Sequence, residues 1–384
     1  MNRSIILLSF VSFFTDIASE MLYPVLPIYL KEIGFTMVMI GALEGFSDAL
    51  SGYAKGYFGS LSDRLGKRAV FVRIGYFLST FSKPLVGLFP TPFLVFLFRL
   101  MDRLGKGIRT APRDALLIEN SLPENRGKVF GFHRGMDTLG AFFGPIIAFL
   151  FIYFYPGQYT TLFLICFIPG IMAIALTLFI ADKGNKLRSD FQKNETTNYF
   201  FFWKEASPEF KIILIGSVVL AFFNSSDVFL LLKAKEDGLE DSKVILLYIF
   251  YNFIYAISAY PSGLLADKIS FKKIILLGLI FYSAAYFLMA NHFSEGFVWL
   301  AFGIYGLFSA STEGIFKAWL SMYIPKEKIA TGLGFYMSIS TFAIFIASPL
   351  TGLLWTMGSS SLPFYVISIN GLLVFLFFLF QKKI

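Results

Sequence analysis

Cysteine and histidine are nearly absent from this sequence. A lone cysteine, Cys166, leaves no internal disulfide to form, and with only His133 and His292 no Cys/His zinc site can be assembled. Cys166 sits inside the apolar run 161–168 and reads as a packing residue, in line with the burial habit of free thiols. Charge is scarce too: 15% of the 384 residues are Asp, Glu, Lys or Arg, against about 25% in a soluble domain. There is no phosphate-cradling glycine loop, no nucleophile elbow and no His/Asp metal cluster, so an enzyme would lack a centre for its chemistry. What remains is apolar. The chain is 56% hydrophobic and 19% aromatic, with a mean hydropathy of +0.69, and such a chain is dissolved in lipid.

Apolar segments of about 20 residues, the length that crosses a bilayer, recur from end to end. They fall near 5–30, 36–60, 70–89, 92–118, 128–154, 159–181, 210–233, 243–265, 272–291, 297–321, 329–355 and 362–381. The sequence therefore predicts an all-α membrane protein with twelve transmembrane helices. The first segment is too long for a cleaved signal, contains Asp16 and Glu20, and lacks a small-residue cleavage site.

Lysine and arginine cluster in the loops of one side: Arg3; Arg64, Lys67, Arg68 and Arg73; Arg126 and Lys128; Lys183 to Lys204; Lys268, Lys272 and Lys273; Lys326 and Lys328; Lys382 and Lys383. The other side has little more than Lys31, Lys235 and Lys243, mixed with acids. This bias predicts that both termini are cytoplasmic in the inner membrane. The net charge of +8 is then an insertion signal, and no nucleic acid is needed to explain it. The polar stretch at 182–209 divides the spans six and six, giving bundles at 1–181 and 210–384, and Phe200 to Lys204 within it has the composition of an interfacial helix.

The halves repeat. Gly59-Ser-Leu-Ser-Asp63 returns 204 positions later as Gly263-Leu-Leu-Ala-Asp267, Lys31-Glu32-Ile-Gly34 as Lys235-Glu236-Asp-Gly238, and Gly144-Pro145 as Ser348-Pro349. Three matches at one offset mark a duplicated six-helix unit with a pseudo-two-fold repeat. Such repeats place a solute site between the halves near the membrane midplane.

Within the fourth span, Arg99, Arg103 and Lys106 recur at i, i+4, i+7, and Arg109 and Arg113 continue the stripe. Each cation facing lipid costs roughly 2.5–3.5 kcal/mol, so the stripe must face other helices or water. Asp16 and Glu20 share a face of the first span, and His133 and Asp137 share a face of the fifth beside Arg134. Either pair is a proton-exchanging locus or a structural ion pair. The C-terminal half offers Asp227, without a partner nearby in sequence, and Glu313, four residues before Lys317 and able to pair with it. Lys83 either snorkels outward or meets a carboxylate.

Gly59 to Arg68 resembles the signature of the major facilitator superfamily between its second and third helices, with Lys67 where arginine is commoner. The resemblance covers nearly the whole chain and implies that fold: two six-helix bundles working by alternating access. It implies a conformational latch from Gly59, Asp63, Arg64, Gly66, Lys67 and Arg68, with Asp267 in the weaker second copy. Arg103 to Ala111 is similar to the superfamily's fourth-helix motif, whose arginine is linked to proton coupling. Its additional cations here imply either an anionic substrate or a dense salt-bridge network. Arg113, Asp114, Arg126 and Gly127 read as helix latches at the cytoplasmic end. Gly140, Gly144 and Pro145 resemble the fifth-helix packing motif of antiporters, although Ala148 and Phe149 stand where glycines are expected.

The expectation is a secondary active transporter and not an enzyme, moving a small organic solute by proton-coupled efflux. Ion-coupled uptake of an anionic metabolite and siderophore or metal efflux are the alternatives. Asp16, Glu20, Arg103, Lys106, Arg109, His133, Arg134, Asp137, Asp227 and Glu313 are the candidate substrate and proton residues. No cofactor and no bound metal are implied; the partners are the solute, protons and the lipid bilayer, and the chain is expected to act as a monomer. Phosphatase fusions truncated after Gly34 or Gly238 are expected to be active, and those after Lys67, Lys128 or Lys273 inactive. The opposite pattern would invert the topology.

Overall fold

A computed structural model describes residues 2–35, 37–182, 201–225, 227–291 and 294–381. His292, Phe200, residues 183–200 of the polar connection and Lys382 and Lys383 lie outside the described residues. Among the described residues the chain is helical and has no strand. The first span is α1 (Arg3–Glu20) with α2 (Leu26–Glu32). The next four are α3 (Met37–Leu65), α4 (Arg68–Leu88), α5 (Pro92–Glu119) and α6 (Arg126–Phe154), and the sixth is α7 (Tyr159–Ile165) with α8 (Phe167–Thr177). After the short α9 (Phe202–Glu205), the seventh span is α10 (Pro208–Phe222) with α11 (Asp227–Glu236). Then follow α12 (Asp241–Lys268), α13 (Phe271–Ala290), α14 (Glu295–Ser321), α15 (Ile329–Met357) and α16 (Leu362–Phe380). All twelve expected spans are helical. Seven are long and apolar enough by composition alone to cross a membrane; most of the buried charge lies in the second, third and fourth spans.

Three spans read as continuous are broken, and each break has a local cause. The first stops at Glu20 and restarts at Leu26, because Pro24 lacks the N–H that would continue the ladder. The sixth changes course at Cys166, three residues before Pro169. In the seventh, α10 ends at Phe222 and α11 begins at Asp227; between them Asn224 and Ser225 have short polar side chains that compete with helical backbone bonds. The breaks in the first and seventh spans occupy matching places in the two repeats.

The repeat also governs the turns. Gly34 closes α2 at φ +92° and Gly238 closes α11 at φ +97°, a conformation that costs glycine little and other residues more. Behind them Phe35 N–H donates to Leu30 O at 2.9 Å and Leu239 N–H to Ala234 O at 3.2 Å. These bonds are again 204 positions apart.

Packing contacts divide the chain into two compact units. The first comprises Met1–Leu122, Met136–Glu205 and Ile324–Ser338; the second comprises Pro123–Gly135, Ala206–Tyr323 and Ile339–Ile384. Each unit thus takes in the start of the fifth helix of the other repeat, α15 in the first and α6 in the second. In the first unit α4 and α5 approach closely at Gly75 and Gly105, where a Cβ added to Gly105 would stand 2.6 Å from the Gly75 carbonyl. Asp182 caps α4 through the N–H groups of Arg68 and Ala69, both at 2.9 Å, tying the start of the polar connection to the third span. In α9, Phe202 is buried against Phe335 and Glu205 pairs with Lys328 at 2.5 Å. The aromatic stretch therefore packs partly on protein as well as suiting a headgroup layer.

Gly105→Ala is expected to destabilise the protein by about 1–3 kcal/mol, the cost of overpacking against backbone that cannot yield. Gly296→Ala, where an added Cβ meets nothing within 4 Å, should be neutral or stabilise α14 by up to about 1 kcal/mol. Thermal unfolding in detergent distinguishes the two.

Candidate functional site

The cations of α5 are answered by carboxylates and hydroxyls from its neighbours in the first unit. Glu44 on α3 accepts from Arg99 at 3.0 Å and from Arg103 at 3.4 Å. Asp102 accepts from Arg99 at 3.2 Å and from Lys83 of α4 at 2.9 Å, so Lys83 meets a carboxylate and does not snorkel. Arg109 donates to Ser79 Oγ at 2.8 Å and lies over the Tyr76 ring at 4.2 Å. Arg113 donates to Asp114 at 2.9 Å and to Ser12 Oγ at 3.3 Å. Five of the six cations around the stripe are thus held by protein groups, so of the two implications drawn from the sequence the geometry favours the dense network. Lys106 differs. It is exposed in mid-span, with Asp16 and Glu20 as electrostatic neighbours.

Asp16 and Asp137 come together from α1 and α6. Their carboxyl groups are in hydrogen-bond contact, and Asp137 also accepts from Ser12 Oγ. The Gly140 and Gly144 motif makes the approach possible. A Cβ on Gly140 would stand 2.4 Å from Phe13 O and 2.9 Å from the Asp16 Cβ, and one on Gly144 would stand 2.8 Å from Met21 N and 2.9 Å from the Glu20 Cβ. Pro145 follows inside α6. His133, four residues before Asp137, is buried and falls in the second unit, while Asp137 falls in the first.

In the second unit Arg134 pairs with Glu313 and donates to the Tyr255 hydroxyl at 2.6 Å. Glu313 thus meets a cation from α6 that sequence spacing did not reveal. Asp227, at the start of α11, accepts from the Tyr305 hydroxyl at 2.8 Å. Asn224 in the adjoining break accepts from Tyr286 at 3.0 Å and Tyr282 at 3.2 Å.

The motif aspartates cap helices in a matched pair. Asp63 accepts from the Thr331 N–H at 2.7 Å and the Thr331 hydroxyl at 2.9 Å, at the start of α15. Asp267 accepts from Gly127 N–H at 2.7 Å and Lys128 N–H at 2.6 Å, at the start of α6. A carboxylate at a helix N-terminus meets unpaired N–H groups and the positive end of the dipole. Close approach is again glycine-dependent: a Cβ on Gly59 would stand 2.5 Å from Ala330 O, and one on Gly263 would clash with Gly127 O. Arg68 is fully buried between Asp63 at 2.5 Å and Glu119 at 2.6 Å, whereas Arg64 and Lys67 are exposed and Gly66 makes the turn at φ +64°. Arg126 donates to Ser321 O at 2.6 Å, which with Gly127 latches α6. Arg113 and Asp114 lie a turn inside α5 instead, joined to α1 through Ser12, because α5 runs on to Glu119.

Sequence reasoning missed Glu44, Ser12 and Ser79. Glu44 had a usable signal, since any acid inside a span points to a site; the hydroxyls had none.

A helical bundle with buried ion pairs, broken helices at matching places and helix-capping aspartates defines a polytopic transport protein. The chain belongs to the Major Facilitator Superfamily, whose family model matches residues 8–240 and 213–383. It is 32% identical over 361 residues, 92% of this chain and 89% of the other, to an uncharacterised MFS-type transporter of Methanocaldococcus jannaschii. It is 26% identical over 145 residues, 38% of this chain and 37% of the other, to the quinolone resistance protein NorA of Staphylococcus aureus. Its fold is similar to those of the human organic anion transporter MFSD10, at TM-score 0.83 and 12% identity over 98% of this chain and all of the other, and the Escherichia coli fucose:proton symporter FucP, at TM-score 0.79 and 12% identity over 99% and 98%. The protein is thus a multi-pass membrane transporter and not an enzyme.

Breaking one partner of a buried pair costs about 3–5 kcal/mol, while removing both is often close to neutral. Lys83→Met is therefore expected to lower the unfolding temperature much more than the double variant Lys83→Met/Asp102→Asn. Equal losses would mean that the pair is solvated.

Proposed function

We propose that this chain exports a small organic solute across the cytoplasmic membrane in exchange for protons, as a monomer. Two six-helix bundles at 1–181 and 210–384, joined by the 182–209 connection, alternate their access, and the basic loops and both termini lie in the cytoplasm. The carrying observation is the approach of α1 and α6 at Gly140, which sets Asp16 beside Asp137. One proton suffices to hold α1 and α6 together there, and its loss drives two negative charges apart. Glu20 and Lys106 lie beside it, so protonation of the dyad changes the field along the same face of the first unit. Asp63 and Asp267, released from their helix ends and recaptured, act as the conformational latches. Similarity to a quinolone resistance protein over part of the chain agrees with export.

Uptake of an anionic metabolite is the rival reading, and one residue favours it. Lys106 is an exposed cation with no ion pair within 4.0 Å among the described residues, and an anionic group could dock there.

Purified protein in liposomes with a pH-sensitive dye inside, challenged with organic cations, anions and neutral amphiphiles, tests both readings. Export by antiport predicts solute-driven proton movement that is lost in Asp16→Asn and Asp137→Asn. Solute flux without proton movement, unchanged in those variants, would sink it. Flux restricted to anions and lost in Lys106→Gln would establish uptake in its place.

A further inference from the structure

Most carboxylates inside the spans meet a lysine, an arginine or the first turn of another helix, while Asp16 and Asp137 meet each other. Glu44, Asp63, Asp102, Asp114, Asp237 and Glu313 each pair with a lysine or arginine, and Asp267 caps a helix. Asp227 is partly exposed and meets only the neutral Tyr305 phenol, with no lysine or arginine paired to it among the described residues. A carboxylate with no cation inside a span is costly even at the first turn of its own helix, and this marks it as a functional residue.

Its surroundings supply one. Aromatic rings from six helices form a continuous chain of contacts around it. Tyr251 of α12 packs on Tyr305 of α14 at 5.1 Å between centroids, Tyr305 on Tyr286 of α13 at 5.7 Å, and Tyr286 on Phe364 of α16 at 5.9 Å. Phe364 continues to Trp355 of α15 at 5.7 Å, and Trp355 to Phe229 of α11, two residues beyond Asp227, at 5.9 Å. Aromatic faces attract cations and bury apolar substituents together. A negative charge set among them matches a positive, greasy ligand and repels an anion.

A second observation marks the same place. Asp227 begins the helix that follows the break in the seventh span, and the first span is broken at the matching position of its own repeat. Paired discontinuities of this kind point to the ligand site in repeat-built transporters.

We infer that Asp227 and the aromatic chain through Tyr305 bind a lipophilic organic cation as the transported solute, which rests on the export reading above. Either a proton or the cation neutralises Asp227. The groups facing it are otherwise uncharged: Tyr251 from α12, Tyr286 from α13 and Tyr305 from α14 are phenols, and α15 contains no charged residue. Two charged pairs in the same unit, Arg134 with Glu313 and Lys233 with Asp237, are self-neutralised.

The test measures equilibrium binding of tetraphenylphosphonium and tetraphenylborate, ions of the same shape and opposite charge, to the purified full chain in detergent. The unmodified protein should bind the phosphonium at least tenfold more tightly than the borate at pH 8, and at least tenfold less tightly at pH 5.5 than at pH 8. Asp227→Asn should lose at least tenfold in phosphonium binding, Asp227→Glu should recover most of it, and Tyr305→Leu should weaken it while Tyr305→Phe, which keeps the ring, should not. Equal binding of the two ions, a preference independent of pH, or unchanged binding in Asp227→Asn would overturn the assignment, and the first two are read without any variant. If Asp227→Asn binds normally while solute-driven proton movement persists and depends on Asp16 and Asp137, this site falls and the antiport reading stands. If the phosphonium binds through Asp227 and no solute moves protons, the reverse holds.

Discussion

A charge held inside a bilayer has to find an opposite charge, a proton or a helix end, because neither lipid nor water is there to screen it. This cost organises the N-terminal repeat. Arg99, Arg103, Lys83, Arg109 and Arg113 pull α1, α3, α4 and α5 into one network through Glu44, Asp102, Ser79, Asp114 and Ser12. The glycines at the crossings follow from the same need, since carboxylates can meet only where backbones are close; Gly140 against Phe13 and Asp16 is the clearest case. In the C-terminal repeat the solution is different. Tyrosine hydroxyls and rings replace most of the ions, and a single carboxylate, Asp227, is left with a phenol.

The two repeats have therefore kept a common frame and diverged in polarity. Their shared features are those that backbone geometry dictates: positive-φ turns at Gly34 and Gly238, broken first helices, and aspartates 63 and 267 on helix N-termini. Even these are not equal. Asp63 is also tied to Arg68, which is tied to Glu119, whereas Asp267 relies on two backbone N–H groups. Asp63 is therefore held by more partners than Asp267.

Much of the site could be read from residue order. An acid or base in an apolar segment announces itself by its cost, so Asp16, the α5 stripe, Asp137, Asp227 and Glu313 were all legible, as was the cap formed by Asp63. Partners were not. Spacing joined Asp16 to Glu20, His133 to Asp137 and Glu313 to Lys317, because i,i+4 is the only neighbourhood a sequence displays. The structure adds partners across helices, Asp137 beside Asp16 and Arg134 on Glu313, and keeps Glu20 as an electrostatic neighbour of Asp16. Hydroxyls such as Ser12 and Ser79 left no trace, since an uncharged polar residue in a membrane helix is too common to be a signal.

By itself the sequence determined the number of spans, their repeat and the membership in a transporter family. Hydropathy, loop charge and a fixed offset are properties of local composition, and folding does not change them. Only the tertiary structure decided which charges meet, where the first, sixth and seventh spans break, and that Asp227 is left without a cation. Those outcomes depend on which faces of separate helices come within about 3 Å of each other, the reach of a hydrogen bond, and no linear pattern contains that distance.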